Sequence, residues 1–173
     1  MRSARRWFYL LVAAQALFLV AWSGWLEIEL GRAPTVLLEV RPVDPSEILR
    51  GTYIRLGYAI SDVPHDRFSS SDAMEHGDTV CVEVEPGEEF WEVASASAGS
   101  CPADADTPAN HLRLEGRYSG RDDDSVTIDY GIGRYYVPEG MGTPRGRLTA
   151  RVAVTSWHRA LIKEVYLDGR PYP

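Results

Sequence analysis

Apolar and polar positions divide the chain into two unlike parts. Residues 7–26 form a run of twenty residues without a charge; at ~1.5 Å per helical residue this reaches roughly 30 Å, the thickness of a bilayer's hydrocarbon core. Beyond Gly31 the period falls to two, the spacing of a strand with one buried face. Val36, Leu38 and Val40 share one side of the first such segment. Ile54, Leu56, Tyr58 and Ile60 share a side of the second, opposite Tyr53, Arg55, Gly57 and Ala59. In the third, Val80, Val82 and Val84 alternate with Thr79, Cys81, Glu83 and Glu85.

Turn residues punctuate the remaining pattern. Pro86-Gly87-Glu88-Glu89 separates residues 78–85 from Phe90-Trp91-Glu92-Val93 and predicts a hairpin over 78–95. A second hairpin joins residues 111–118 to 125–130, with Leu112, Leu114 and Tyr118 facing Val126, Ile128 and Tyr130. A short extended piece at 135–137 and a Gly/Pro loop follow. The last hairpin sets Leu148, Ala150, Val152 and Val154 against residues 160–167 and ends at Asp168-Gly169. Residues 61–77 show no period and read as a loop, with one helical turn near 71–75. The Ala-, Ser-, Pro- and Asp-rich stretch 95–110 also reads as a loop. Seven to nine short strands after one apolar helix predict a mainly β class, an antiparallel sandwich or open barrel with one N-terminal transmembrane helix.

The flanks of the apolar run orient it. Arg2, Arg5 and Arg6 precede it, which leaves the N-terminus in the cytoplasm under the positive-inside rule, and Trp7, Tyr9, Trp22 and Trp25 stand near its ends, where membrane-interface aromatics gather. A cleaved signal peptide has an apolar core of roughly 7–15 residues and a small-residue cleavage site. This core is longer, and aromatics crowd the Ala21-Trp22-Ser23 site, so a retained anchor is the expectation. The division is then a basic cytoplasmic tail at 1–6, a membrane helix at 7–26 and an extracytoplasmic β-rich domain at 27–173, single-pass in the bacterial inner membrane.

Charge and cysteine content narrow the partners. Residues 27–173 carry 15 basic and 25 acidic side chains, a net of −10, which disfavours nucleic acid because phosphate contacts need a basic surface. Cys81 and Cys101 lie in the exported part, where an oxidising compartment favours a disulfide worth about 3 kcal/mol. Four scattered histidines offer no metal-ligand spacing, so no metal or cofactor is expected.

The chain's most ordered predicted segment is residues 44–58. Asp44 is a good N-cap, Pro45 fits the first helical position, Glu47 completes a capping-box spacing and Gly51 supplies a left-handed exit into the strand. Within it Gly51, Tyr53, Leu56 and Tyr58 match four of the five fixed letters of the motif that names the GDYXXLXY family, and Thr52 stands where that family has Asp. The lead Pro42, Asp44, Pro45 and the later Tyr135-Tyr136-Val137-Pro138-Glu139-Gly140 also resemble the family, whose members are small bacterial membrane-anchored proteins. The resemblance implies location and fold more than activity, and a carboxylate-dependent role at the motif does not carry over to Thr52.

Two functional readings compete. Arg50, Tyr53, Tyr58, Tyr135, Tyr136 and Glu139 form a binding surface if the motif strand lies beside the Tyr-Tyr-Val-Pro-Glu-Gly segment, each ring offering area and a hydroxyl; otherwise the tyrosines are core. This reading makes the protein a non-catalytic accessory or binding module beside another envelope membrane protein. The alternative is a hydrolase of the Ser/Lys type resembling signal peptidases, with Ser46 as nucleophile and Lys163, the sole lysine, as a desolvated base. Asp122-Asp123-Asp124 lacks the rest of a calcium loop, and His65-Asp66 and His76-Gly77-Asp78 lack a nucleophile, so these read as solvated loop residues.

Overall fold

The computed structural model describes residues 2–41, 53–69, 74–102, 107–138 and 144–172. The chain forms two compact units, Met1–Ala33 and Pro34–Pro173. The first is one helix, α1 (Arg2–Arg32), which continues six residues past Leu26 through Glu27 and Glu29. Most of its large apolar side chains are bare; Leu17 is 75% exposed and Val20 73%. Over Arg6–Arg32 it is long and apolar enough to cross a bilayer or to serve as a signal sequence.

The second unit is built from twelve strands among the described residues: β1 (Thr35–Arg41), β2 (Tyr53–Arg55), β3 (Gly57–Tyr58), β4 (Asp62–Pro64), β5 (Thr79–Pro86), β6 (Trp91–Ala98), β7 (Leu112–Arg121), β8 (Ser125–Asp129), β9 (Arg134–Tyr136), β10 (Leu148–Val154), β11 (Ala160–Leu167) and β12 (Arg170–Tyr172). One five-stranded sheet runs β12-β11-β10-β1-β3, another β4-β8-β7-β5-β6, and β2 pairs with β9 in a two-stranded ribbon. Every strand pairing is antiparallel.

The second sheet curls almost shut. The chain leaving β4 passes through a 3-10 turn at His65–Arg67 and meets β6, where Phe68 forms a parallel bridge with Ala96 and the Ser69 N–H donates to the Ala96 carbonyl at 3.0 Å. The result is a nearly closed antiparallel barrel-like sheet. Its valines Val63, Val80, Val82, Val84 and Val126 share one core with Val36, Leu38, Val152 and Val165 of the other sheet, all at most 1% exposed. Burying such side chains contributes about 1.5–3 kcal/mol each.

The structure corrects several expected boundaries. The predicted continuous strand after residue 52, through Ile60, is broken into β2 and β3, because the two pieces take different partners, β9 and β1. A 3-10 turn at Ala59–Ser61 redirects the chain between β3 and β4. Burial keeps the predicted alternation throughout, with Ile54, Leu56, Tyr58 and Ile60 all at most 5% exposed. The stretch read as a loop at 61–77 contains β4 and the Phe68 bridge, since pairing to β8 and β6 overrides its lack of period. Residues 95–98 belong to β6, held by Cys81 opposite Ser97 and Val82 opposite Ala96. β12 was not anticipated. Asp168 (φ 50°) and Gly169 (φ 77°) make the positive-φ turn of a tight hairpin that returns the chain along β11. β12 is three residues long and carries Pro171 at its centre.

Candidate functional site

The motif strand and the segment following β8 are joined by a reciprocal pair of tyrosines. Tyr58 Oη donates to the Ile132 carbonyl at 3.0 Å, and Tyr130 Oη donates to the Ile60 carbonyl at 2.9 Å, so each ring spans to the residue two beyond its counterpart. The Leu56 N–H adds a bond to the Gly133 carbonyl at 2.9 Å. Room for the Tyr130 ring comes from Gly116, where a Cβ would collide with Ile128 and stand 3.1 Å from the ring. Burial pushes both phenols well above the ordinary range, and at Tyr130 the nearby Asp62 carboxylate adds to the shift. Both rings therefore stay neutral donors at physiological pH.

The β2–β9 ribbon lies just beyond this clamp. Its register sets Tyr53 opposite Tyr136, Ile54 opposite Tyr135 and Arg55 opposite Arg134. Cross-strand partners share a face, so Tyr53, Tyr136, Arg55 and Arg134 stand together on one side and Ile54 and Tyr135 on the other. The Tyr53 and Tyr136 ring centroids are 6.0 Å apart at 58°, and the Arg134 guanidinium stands 6.0 Å from the Tyr53 ring centre. Tyr136 is 69% exposed. Tyr135 packs against the core and donates to the Tyr172 carbonyl at 3.1 Å.

Of the predicted surface residues, the structure brings Tyr53 and Tyr136 together outside and turns Tyr58 and Tyr135 inward. Arg50 and Glu139 lie outside the described residues, as do Ser46, Gly51, Thr52, the capped turn from Asp44 and residues 71–73 of the expected helical turn. Within the motif, Leu56 and Tyr58 hold the fold and Tyr53 faces solvent in part. Arg134 and the clamp partner Tyr130 were missed. Arg134 immediately precedes Tyr135-Tyr136, and period two already placed Arg55 on the Tyr53 face, so pairing the two segments in register would have found both arginines.

A polar cleft of about 770 Å³ opens beside the ribbon. Arg41, Arg55 and Arg134 line it with Asp62, Asp129 and Tyr136. The two carboxylates are engaged. Asp129 Oδ1 accepts the Gly131 N–H at 2.8 Å, and Asp62 accepts Arg41 Nη1 at 3.4 Å and Thr127 Oγ1 at 3.5 Å.

The other candidates resolve into structural roles. Cys81 and Cys101 form a disulfide with Cα atoms 4.8 Å apart, which ties the segment after β6 to β5. On the same side of β5, Glu83 accepts from Arg113 Nε at 3.2 Å and meets His111 Nδ1 at 2.8 Å. His65 and His76 bond the Asp122 and Ser119 carbonyls, each at 3.0 Å. Asp78 Oδ2 accepts the Glu75 N–H at 2.8 Å, and Asp122-Asp123-Asp124 forms the β7–β8 tip, closed by the Asp122 N–H to the Ser125 carbonyl. Lys163 is exposed on β11, without the burial that a desolvated lysine base needs. Among the described residues no group of three or more His, Cys, Asp or Glu is placed to hold a metal ion.

No curated protein and no solved structure matches the chain. The family model described as GDYXXLXY protein matches residues 15–165, and on that match, which runs from the middle of α1 into β11, the chain belongs to the GDYXXLXY family.

Proposed function

We propose that this protein is a membrane-anchored, non-catalytic binding module of the bacterial envelope, with α1 retained in the inner membrane and the β unit on the extracytoplasmic side. The observation that carries the reading is the disulfide between Cys81 and Cys101 downstream of a bare apolar helix led by arginines. Disulfides persist in oxidising compartments, and the arginines favour a cytoplasmic N-terminus. The binding role draws on the ribbon, where tyrosine and arginine side chains, the types that dominate recognition surfaces, share one face that is wholly or partly exposed. Its partner is another membrane protein of the envelope.

A reporter enzyme that is active only outside the cytosol, fused after Pro173, tests the topology. Activity together with an intact N-terminus by mass supports the reading; a cytosolic reporter or cleavage after the helix overturns the anchoring. Cross-linking in membranes followed by purification in detergent tests the binding role, which fails if no envelope protein is recovered or if recovery is unchanged by Tyr53→Ala with Tyr136→Ala.

A further inference from the structure

We infer that the turn between β10 and β11, residues 155–159, seats Trp157 and the nearby Leu161 in the lipid headgroup layer of the membrane that holds α1. The inference goes beyond the binding-module reading and rests only on its anchoring.

Strand order and chain length set the position of the turn. β1 begins at Thr35, which pairs with Ala153 near the end of β10, and the Val154 N–H donates to the Pro34 carbonyl at 2.9 Å. The turn therefore stands at the end of the sheet where the chain enters the β unit. The other end of β10 pairs Leu148 with Leu167, beside the Asp168-Gly169 turn. Residues 27–34 are all that separate Leu26, the last of the uncharged run, from β1. Those up to Arg32 belong to α1, so Pro34 is at most roughly 16 Å from the end of that run. The headgroup layer takes up about 5–8 Å of this reach.

The side chains suit that layer. Outside α1, the exposed large hydrophobic side chains among the described residues are Tyr136, Trp157 at 48% and Leu161 at 41%, so two of the three belong to this end of the sheet. Tryptophan joins a large apolar ring to one N–H donor and favours the membrane–water interface. Trp157 and Leu161 line one depression with Arg117 and Arg159, whose guanidinium groups match phosphate oxygens, and with the acids Glu115 and Asp129. From Val154 to Lys163 the chain has two cationic residues, Arg159 and Lys163, and no acidic one, although residues 27–173 carry a net of −10. An anionic lipid surface repels the domain as a whole but meets no carboxylate within this stretch.

The turn is also stiff. The Thr155 N–H donates to the Arg159 carbonyl at 3.0 Å, the Arg159 N–H to Thr155 Oγ1 at 3.1 Å and the His158 N–H to the Thr155 carbonyl at 2.9 Å. His158 takes a φ of 60°, uncommon outside glycine, and its carbonyl accepts the Glu115 N–H of β7 at 2.7 Å. A fixed backbone thus presents Trp157, which lowers the ordering cost of docking.

Full-length protein in vesicles of phosphatidylcholine and phosphatidylglycerol, with part of the lipid carrying a nitroxide quencher on its headgroup, tests the contact. A fluorophore is attached at Ser156→Cys or, at the far end of the sheet, at Arg170→Cys, without reductant so that Cys81 and Cys101 stay joined. Both positions are exposed. Quenching about twofold or more stronger at Ser156→Cys than at Arg170→Cys is expected, and Trp157→Ala with Leu161→Ser should remove most of that excess. Near-UV circular dichroism confirms that each variant is folded. A turn merely tethered close to the bilayer is quenched alike with and without the two apolar side chains; that result overturns the inference, as does equal quenching at the two sites. Quenching at Ser156→Cys that falls as the protein-to-lipid ratio is raised assigns the patch to a second copy of the chain and also overturns it. Flotation of the vesicles keeps the two readings apart: protein that floats without excess quenching retains its anchor and loses this contact, whereas protein left behind loses both.

Discussion

Two tyrosine pairs, each with one member in the motif segment at Tyr53 or Tyr58, do opposite things. Tyr58 and Tyr130 are 2% and 7% exposed, and each donates to a backbone carbonyl across the core. Tyr53 and Tyr136 touch ring to ring on the outer face, with Tyr136 69% exposed. The difference shows that a tyrosine in the motif has no single meaning. Its role follows from which side of the strand it occupies and from what the partner strand places opposite.

The widest separation between the pairs comes from truncation. Tyr58→Ala empties a buried ring site and leaves the Ile132 carbonyl without its donor, so a loss of ~3–5 kcal/mol is expected in chemical denaturation. Tyr53→Ala should cost less than about 1 kcal/mol in the same measurement. Comparable losses at both sites would erase the distinction.

The disulfide provides a reference on the same scale. Cys81→Ser with Cys101→Ser should cost about 3 kcal/mol, because the cross-link closes a loop of twenty residues in the unfolded chain. It joins residues outside the β2–β9 ribbon, so partner recovery through Tyr53 and Tyr136 should survive in the folded fraction; a parallel loss would tie the ribbon to the cystine and weaken the contrast.

Smaller changes sharpen the picture. Tyr58→Phe and Tyr130→Phe remove only a hydroxyl and should each cost about 1 kcal/mol or somewhat more, since a buried acceptor is orphaned. The same phenols predict a pH effect. Their folded-state pKa is raised above the unfolded value of about 10, so their contribution is complete below about pH 10 and falls as pH rises above it, when the unfolded chain sheds protons first. Denaturation midpoints across that range should fall less steeply in Tyr58→Phe than in the parent. The smallest effect is expected outside: Tyr136→Phe should change stability by no more than about 0.5 kcal/mol and be visible only in partner recovery.

Much of this arrangement was legible before the fold was known. Period two placed Ile54, Leu56, Tyr58 and Ile60 inward, because alternation within a chain reports burial whether or not the strand is continuous. It could not reveal the breaks after Arg55 and Tyr58, which arise from the choice of partner strands far along the chain. β4 escaped notice because three residues that include a proline carry almost no periodic signal, and the Phe68 bridge depends on β6 being within reach. At the candidate site, Tyr53 and Tyr136 followed from adjacency of two segments, whereas the opposition of Arg55 and Arg134 needed the register itself.

The closure of the small sheet matters beyond its own stability. An open strand edge invites a neighbouring copy to pair with it, and molecules confined to a plane encounter one another at high effective concentration. Here the contact of Phe68 with Ala96 occupies the flank of β6, and the far flank of the other sheet ends in the short, proline-bearing β12. Under the proposed anchoring, these two edges offer little for copies crowded at a membrane surface to zip onto.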